Sequence, residues 1–373
     1  MIFLSRILFY LSSFSILPPK RDEQNLILER VLKSHVKSSE FLQQSLRQYD
    51  CNSYYFSKII WICFNLFSIL TVVPLFFFLW VRSLKQVDLL PRSDISLYHR
   101  IPKNIENKFK PDVVKKPLGY LKARDFKYIF QIIFCSGFCP YFIFRSIWKI
   151  AIYSELIDTY LPTRIWVTQE MVFESSLLTH YLSDFKIKHI NFMHGDNYFS
   201  IQIACSSFSE FYVWDLYYVD LFKSLHVSAL EFHVFSPLDR LTSTFAVQNI
   251  IKYYNQYSRD SRKFNEILDN LIKFASIKKC RLVVRLHPLH QKKYEIDILS
   301  ARKIEIESNS IDSIDSIYES KYICSEFSSV LYHAFILNRK IVIDNTFPAR
   351  IEIIKDLDPI FLKKLEHEFL VTS

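Results

Sequence analysis

Apolar residues are concentrated near the start of the chain, where two long stretches stand out. Residues 59–81 carry no charged side chain over 23 positions, which is long enough to cross a bilayer at about 1.5 Å per residue. Residues 128–152 form a second stretch, which Ser136-Gly137 and Pro140 interrupt, so it predicts two packed or interfacial helices. Residues 1–17 are also apolar and fit either a membrane-surface helix or a buried first strand and helix. We therefore expect residues 1–90 to be membrane-associating or part of the first domain.

From residue 160 onward, short β-rich runs alternate with segments of helical period, a pattern typical of a parallel α/β architecture. Residues 247–277 read as a helix that separates two such blocks, with Ile250, Ile251 and Tyr254 on its apolar face. We expect one domain over residues 91–243 and a second over 244–373. The predicted strands are 164–168, 189–193, 231–235, 281–286, 303–306, 322–324 and 340–343, and the predicted helices include 175–184, 311–319 and 328–337.

Composition narrows the functional classes. A length of 373 residues suits two domains, and only three glycines leave no dinucleotide or P-loop fingerprint. The net charge of +9 fits an anionic membrane surface, nucleic acid or a phosphorylated substrate. The basic residues are dispersed, without an Arg-rich arm or zinc finger, so we expect no nucleic-acid partner. The seven scattered cysteines suit free thiols in a reducing compartment.

Two motifs of the second block point to a phosphate-binding edge. Arg285-Leu286-His287-Pro288 ends a predicted strand, and ligands of open parallel sheets bind beyond the carboxyl ends of strands. Ser325 to Ser329 (SEFSS) follows the next predicted strand and opens a helix, where backbone amides and the helix dipole favour anions. His287 and Ser328-Ser329 are equally compatible with a polar strand end and an ordinary helix cap.

A third motif lies in the first block. Met193-His194-Gly195-Asp196 follows a predicted strand, and a glycine there suits a tight turn or a close ligand approach. His194 is a candidate general base because an imidazole titrates near neutral pH. Glu170 follows another strand at the same edge and could orient His194 or be the base itself. Glu174 and Asp196 are weaker candidates and are read as solvated charges.

The order HG, then R-x-HP, then SS resembles that of bacterial polysialyltransferases, the 3-deoxy-manno-octulosonate transferases of capsule assembly and CDP-glycerol glycerophosphotransferases. The resemblance covers roughly residues 160–345. It implies the GT-B arrangement of two facing Rossmann-like domains with parallel sheets, preceded here by apolar membrane-associating helices. It also implies that Arg285, His287, Ser328 and Ser329 hold the donor phosphates, and that His194 or Glu170 activates the acceptor. Gln169-Glu170-Met171 departs from the polysialyltransferase pattern of an acidic pair and glycine.

The resemblance implies a metal-independent glycosyltransferase of lipopolysaccharide O-antigen or capsule biosynthesis, with no cofactor. It suggests a CMP-sugar donor, a lipid-linked glycan acceptor and a location at the cytoplasmic face of the bacterial inner membrane, peripheral or singly anchored. Two alternatives stay open. The first is a glycerol- or ribitol-phosphate transferase of surface polymer synthesis, and the second is a non-catalytic membrane-bound partner of the assembly machinery.

Overall fold

The computed structural model describes residues 19–34, 39–56, 58–83, 89–98, 103–137, 139–193, 195–236, 238, 246–255, 261–287, 292–326, 328–345, 348–358 and 368–371. The chain divides into two compact units. The first unit holds residues 1–194 and 199–236, and the second holds residues 195–198 and 237–373. The apolar residues 1–17, His194 and Pro288 lie outside the described residues.

The described part of the first unit starts with helices and continues as an α/β fold. Its helices are α1 (Arg21–Leu32), α2 (Glu40–Ser53), α3 (Lys58–Arg82), α4 (Lys103–Phe109), α5 (Phe126–Cys135), α6 (Pro140–Tyr160), α7 (Ser175–Ser183) and α8 (Leu216–Ser224). Its strands are β1 (Asp94–Ser96), β2 (Asp112–Val113), β3 (Arg164–Val167), β4 (Lys188–Phe192), β5 (Ser207–Val213) and β6 (Ser228–Val234). The six strands form one sheet in the order β2-β1-β3-β4-β5-β6, with every neighbouring pair parallel.

The second unit is built on another parallel sheet, with helices in the connections between its strands. Its strands are β7 (Gln248–Asn255), β8 (Arg281–Leu286), β9 (Glu305–Ile306), β10 (Ser320–Ser325), β11 (Lys340–Asp344) and β12 (Glu368–Val371). Its helices are α9 (Ser261–Lys278), α10 (Lys293–Ala301), α11 (Ser313–Tyr318), α12 (Ser329–Ile336) and α13 (Pro348–Leu357). The sheet order is β12-β11-β10-β7-β8-β9, again all parallel. Counted from β7 this is the order 3-2-1-4-5-6 of dinucleotide-binding folds.

The expected α/β class with two Rossmann-like parallel sheets is confirmed. The predicted helix over residues 247–277 is wrong in its first part, because residues 248–255 form β7 and the helix begins at Ser261. The segment QNIIKYYN is buried continuously from Ile250 to Asn255. A strand covered on both faces has no alternating pattern, so periodicity cannot separate it from a buried helix.

The apolar segment 59–81 forms α3, which continues through Pro74. It is the only described helix long and apolar enough to span a membrane, and only 17% of its most apolar window is buried. One side contacts α6, where the ring of Phe64 stacks on Tyr141 at 5.0 Å and Phe67 meets Phe144 at 6.1 Å. Exposed apolar side chains on the rest of its surface include Ile59, Ile62, Leu66, Leu70, Val73 and Phe77. This distribution differs from that of a core helix in a water-soluble domain.

Gly119 fixes the contact between the end of α3 and α6. Its φ is +93°, and a Cβ at this position would lie 2.7 Å from the backbone N of Ile152. The Gly119 N–H donates to the Glu155 carboxylate at 2.8 Å, and its carbonyl accepts from Arg82 at 3.0 Å. Both the backbone angle and the close approach require glycine.

Candidate functional site

The carboxyl edge of the second sheet has a topological switch point between β7 and β10. From these adjacent strands the chain winds in opposite directions, to β8 and β9 on one side and to β11 and β12 on the other. Ser325 ends β10 at this point, and its hydroxyl donates to the backbone carbonyl of Tyr254 on β7 at 3.0 Å. Ligands of open α/β sheets bind outside the strand ends at such a point. The predicted motif Ser325 to Ser329 therefore follows the strand that borders it.

Ser328 is the N-cap of α12, with an extended backbone and a side chain that accepts from the N–H of Val330 at 3.4 Å. Ser329 is the first residue of that helix. The first turn leaves backbone N–H groups without intrahelical partners, and the helix dipole adds partial positive charge there. The start of this helix could therefore bind a phosphate. Ser328 is also accounted for by its role as the N-cap.

Gly195, from the predicted HG motif, groups with the second unit. Its φ is +83°, and a Cβ built there would lie 4.0 Å from the Cβ of Ser329. Gly195 of the predicted HG motif thus lies beside the serine motif, within the same unit. Its neighbour His194, the candidate base, is outside the described residues.

Arg285 lies on β8 and takes part in an internal ion network. Its guanidinium contacts the Glu307 carboxylate at 2.9 Å and donates to the carbonyl of Ile311 at 2.7 Å. Lys252 on β7 completes the network through Glu307 at 2.5 Å, the Ser316 hydroxyl at 3.0 Å and Glu319. Burial raises the pKa of Glu307, but its hydrogen bonds and the Lys252 charge outweigh that effect, so the pKa lies below its usual value. The predicted phosphate role of Arg285 stays a prediction, because its described contacts, which include the ring of Tyr254 at 6.0 Å, are all made within the protein.

His287 directly follows β8 and is half-buried at the carboxyl edge. β8 lies next to β7 in the sheet, with Arg285 opposite Tyr254 and Leu286 opposite Asn255. The strands on either side of β7 are therefore β8, which His287 follows, and β10, which Ser325 ends. The structure brings these two predicted motifs to one edge, as the sequence predicts for strand ends of a parallel sheet.

At the first sheet, Glu170 lies just beyond β3, which borders the β1 and β3 switch point of the order β2-β1-β3. The Glu170 side chain is 3% exposed, and Asn191 on β4 donates to its Oε2 at 3.1 Å. The Glu170 carbonyl accepts from Gln48 on α2 at 2.8 Å. This carboxylate is thus held inside the first unit, whereas a general base must reach its substrate.

Glu174 does not behave as the solvated charge that the sequence suggests. It is fully buried at the N-cap of α7 and accepts from Arg145 Nε at 2.8 Å. Burial raises the pKa of this carboxyl, but the charges of Arg145 and Lys149 outweigh it, and the pKa lies below its usual value. The signal in the sequence is the spacing of Arg145 and Lys149, which places both cations on one face of α6.

The polar residues of α2 make structural contacts beside the candidate site that the sequence does not reveal. Ser45 accepts from the Leu177 N–H at 2.9 Å, and Gln48 accepts from the Ser175 hydroxyl at 3.1 Å. Helix α2 thereby holds the start of α7 and the loop that carries Glu170. A polar helix far upstream gives no local hint of this long-range contact.

One group of described residues could hold a metal ion, namely Glu210, Glu231 and His233, whose ligand atoms lie within 4.8 Å of one another. These residues lie on β5 and β6. Lys188 contacts Glu210 at 2.6 Å, so a cation already neutralises one of the carboxylates. We assign no metal to this group.

No protein-family model matches the chain, and no curated protein matches it in sequence. Among solved structures, it is similar to the UDP-GlcNAc 2-epimerase of Methanocaldococcus jannaschii in complex with UDP-GlcNAc and UDP, with a TM-score of 0.42 and 13% identity over 67% of this chain and 81% of that one. The UDP-GlcNAc 2-epimerase of Neisseria meningitidis gives a TM-score of 0.40 and 11% identity, with 77% and 83% covered. The glycotransferase of kitacinnamycin gives 0.35 and 8%, with 72% and 75% covered. Similarity of this extent assigns no activity.

Proposed function

We propose that the protein is a glycosyltransferase of the GT-B type that moves a sugar from a nucleotide-activated donor to a lipid-linked glycan. The observation that carries the proposal is the second sheet, whose strand order is that of dinucleotide-binding folds and whose switch point is bordered by Ser325. Ser328 and Ser329 begin the next helix, and His287 follows β8 at the same edge. The motif resemblance to surface-polysaccharide transferases supports the same reading.

In this mechanism the second unit holds the donor phosphates. Amides at the start of α12 and the His287 side chain would stabilise the charge that develops on the leaving nucleotide. A base, either Glu170 or His194, would deprotonate the acceptor hydroxyl as it attacks the anomeric carbon. A metal ion is not required by these steps.

The proposed location is the cytoplasmic face of the bacterial inner membrane. Helix α3 supports it, because this helix is charge-free between its end residues and keeps most of its apolar surface outside the protein. An acceptor carried by a lipid would be presented at such a surface. We place the reaction in lipopolysaccharide O-antigen or capsule synthesis on the motif resemblance.

Nucleotide binding tests the donor site. Detergent-solubilised full-length protein would be titrated with CMP, CDP, UDP and GDP, with UDP included as the nucleotide in the M. jannaschii complex. One nucleotide should raise the melting temperature, because a ligand of the native state stabilises it by mass action. His287→Ala should remove that shift. Arg281→Ala is the matched control, since Arg281 lies at the opposite end of the same strand and pairs with Glu305 on the protein surface.

Activity assays separate the remaining alternatives. His194→Ala and Glu170→Gln should lower turnover if either residue is the base, while His287→Ala should weaken donor binding. Full activity in all three variants would contradict the assignment. A phosphodiester product would identify a polyol-phosphate transferase, and no nucleotide binding would favour a non-catalytic partner protein.

A further inference from the structure

Three cationic side chains of the first unit, one of them the exposed Lys116, lie within electrostatic range of one another. Arg145 and Lys149 are four residues apart on α6, so both leave the same helix face. Lys116 follows β2, and its Nζ lies 5.7 Å from the ring centre of Trp148, the residue before Lys149. Lys149 is subject to the charges of Lys116 and Arg145 and of one carboxylate, Glu174. With all four groups ionised, this cluster carries a net charge of plus two.

The charged groups of this cluster are incompletely paired. Arg145 contacts Oε1 of Glu174, but Oε2 of Glu174 is buried and has no hydrogen-bond partner in the described part of the chain. Lys149 is 7% exposed as a residue, and its Nζ has no hydrogen bond or ion pair to any described residue, although this atom is not fully enclosed. Buried charges are normally paired, because losing water without a replacement contact is costly. A ligand that forms hydrogen bonds with these groups would offset the free-energy cost of removing them from water.

The two groups without a hydrogen-bond partner, Lys149 Nζ and Glu174 Oε2, determine which ligand could bind. Lys149 is a donor and needs an anionic oxygen, whereas Glu174 Oε2 is an acceptor and needs a hydroxyl. The excess of two positive charges matches a phosphate ester, which carries about −1.5 to −2 at neutral pH. A simple inorganic anion would satisfy Lys149 and leave Glu174 without a donor.

We propose that Lys116, Arg145, Lys149 and Glu174 bind a phosphate ester that also carries a free hydroxyl group. Lys116 follows β2, and Glu174 lies in the connection from β3 to α7, so the site is at the carboxyl edge of the first sheet. The inference uses only the first unit and holds whether or not the second unit binds a nucleotide. If it does, this ligand is the phosphate-bearing part of the second substrate.

The protonation of Lys149 supports the assignment. Burial, and to a smaller degree the charge of Lys116, lowers the pKa of Lys149 to about 7 against the opposing effect of Glu174. The groups that act on Lys149 are Lys116, Arg145 and Glu174, and His189 lies near enough to be affected by its charge. A bound anion stabilises the ammonium form. Binding above neutral pH should therefore take up a proton.

The source of the phosphate can be a soluble sugar or polyol phosphate or a lipid headgroup. Helix α6, which carries two of the cations, packs along α3. Glycerol 3-phosphate is a suitable soluble probe, and a short-chain lysophosphatidic acid presents the same phosphate monoester and a free hydroxyl on a lipid. Titrating each ligand separately distinguishes the two sources.

The test is isothermal titration calorimetry on the detergent-solubilised full-length protein at pH 7.5. Lys149→Met should weaken binding at least about tenfold, since it removes a charge-assisted hydrogen bond, and Lys116→Gln should weaken it to a smaller degree. Lys127→Met is the control, because Lys127 pairs with Asp184 on the surface of the same unit. For the wild-type protein the heats in HEPES and in Tris should differ by the number of protons taken up multiplied by the difference between the ionisation enthalpies of the two buffers.

The expected result is binding of glycerol 3-phosphate, of the short-chain lipid, or of both, retained in Lys127→Met and lost in Lys149→Met. Lys149→Met should melt no lower than wild type, which excludes misfolding as the reason. The proposal is overturned if neither ligand binds, or if Lys149→Met binds as tightly as wild type.

Discussion

The two units each contain a buried lysine, and the two lysines differ in whether a carboxylate pairs with them. Lys252 in the second unit is 1% exposed and lies within hydrogen-bond distance of Glu307 and Ser316. Lys149 in the first unit is 7% exposed, has other cations nearby and donates to no described residue. Removing one partner from a paired buried charge is strongly destabilising, whereas a buried cation without a partner costs stability that a bound anion would offset. The comparison assigns a structural role to one cluster and a binding role to the other.

The largest expected effect comes from breaking the paired network. Lys252→Met should lower the free energy of unfolding by about 3–5 kcal/mol, because Glu307 and Glu319 would lose their buried cation. Lys149→Met, the same substitution in the first unit, should change it by less than about 1 kcal/mol or raise it. Urea unfolding followed by circular dichroism measures both. Equal losses in the two variants would remove the distinction between the clusters.

In the first unit, the stability of the fold should depend on the close contact between Gly119 and the backbone of α6. Gly119→Ala should cost about 2–3 kcal/mol, since it adds a clash with the backbone of α6 to an unfavourable φ. Gly137 is the control, because it also has a positive φ but nothing lies within 4 Å of an added Cβ. Gly137→Ala should cost only about 1–2 kcal/mol. Similar costs in both would show that the close approach contributes little.

The lowered pKa of Lys149 predicts that the free energy of unfolding depends on pH. Because its folded pKa is about 7 and the unfolded value is about 10.4, the unfolded chain binds more protons between these values. Stability contributed by this group therefore rises with pH through that window, by up to about 1.4 kcal/mol per pH unit, and levels off below about pH 7. Subtracting the profile of Lys149→Met isolates the contribution. A difference that is flat from pH 7 to 9.5 would contradict the shifted pKa.

The smallest effect is expected at the serine motif. Ser328→Ala should cost about 1 kcal/mol, because it removes the N-cap of α12. Ser329→Ala should change stability by less than about 0.5 kcal/mol, and its consequence should be weaker nucleotide binding. Thermal melts with and without nucleotide measure both properties. A stability loss in Ser329→Ala as large as that in Ser328→Ala would make the motif purely structural.

The sequence predicts most strands correctly where they are short, apolar and bounded by polar residues, as at β3, β4, β10 and β11. It fails at β7, because a strand buried on both faces lacks an alternating pattern. That strand is half of the switch point in the second sheet, so the order 3-2-1-4-5-6 could not be derived from the sequence.

The candidate sites were predictable only in part. Motifs at strand ends, such as His287 and Ser328-Ser329, are local and visible in the sequence. The cation cluster joins a loop residue, two positions on one helix and a helix cap that are far apart in the chain. Spacing places Arg145 and Lys149 on one face, but only the folded chain shows that Glu174 contacts Arg145 and that Lys116 lies near the same face.

A double dissociation of ligand binding tests the account most directly. Wild type, His287→Ala and Lys149→Met would each be titrated with the selected nucleotide and with glycerol 3-phosphate, in the same detergent and at the same pH. The account predicts that His287→Ala loses only the nucleotide and that Lys149→Met loses only the phosphate ester. Loss of both ligands in one variant, or of neither in both, would contradict the assignment of one phosphate site to each unit.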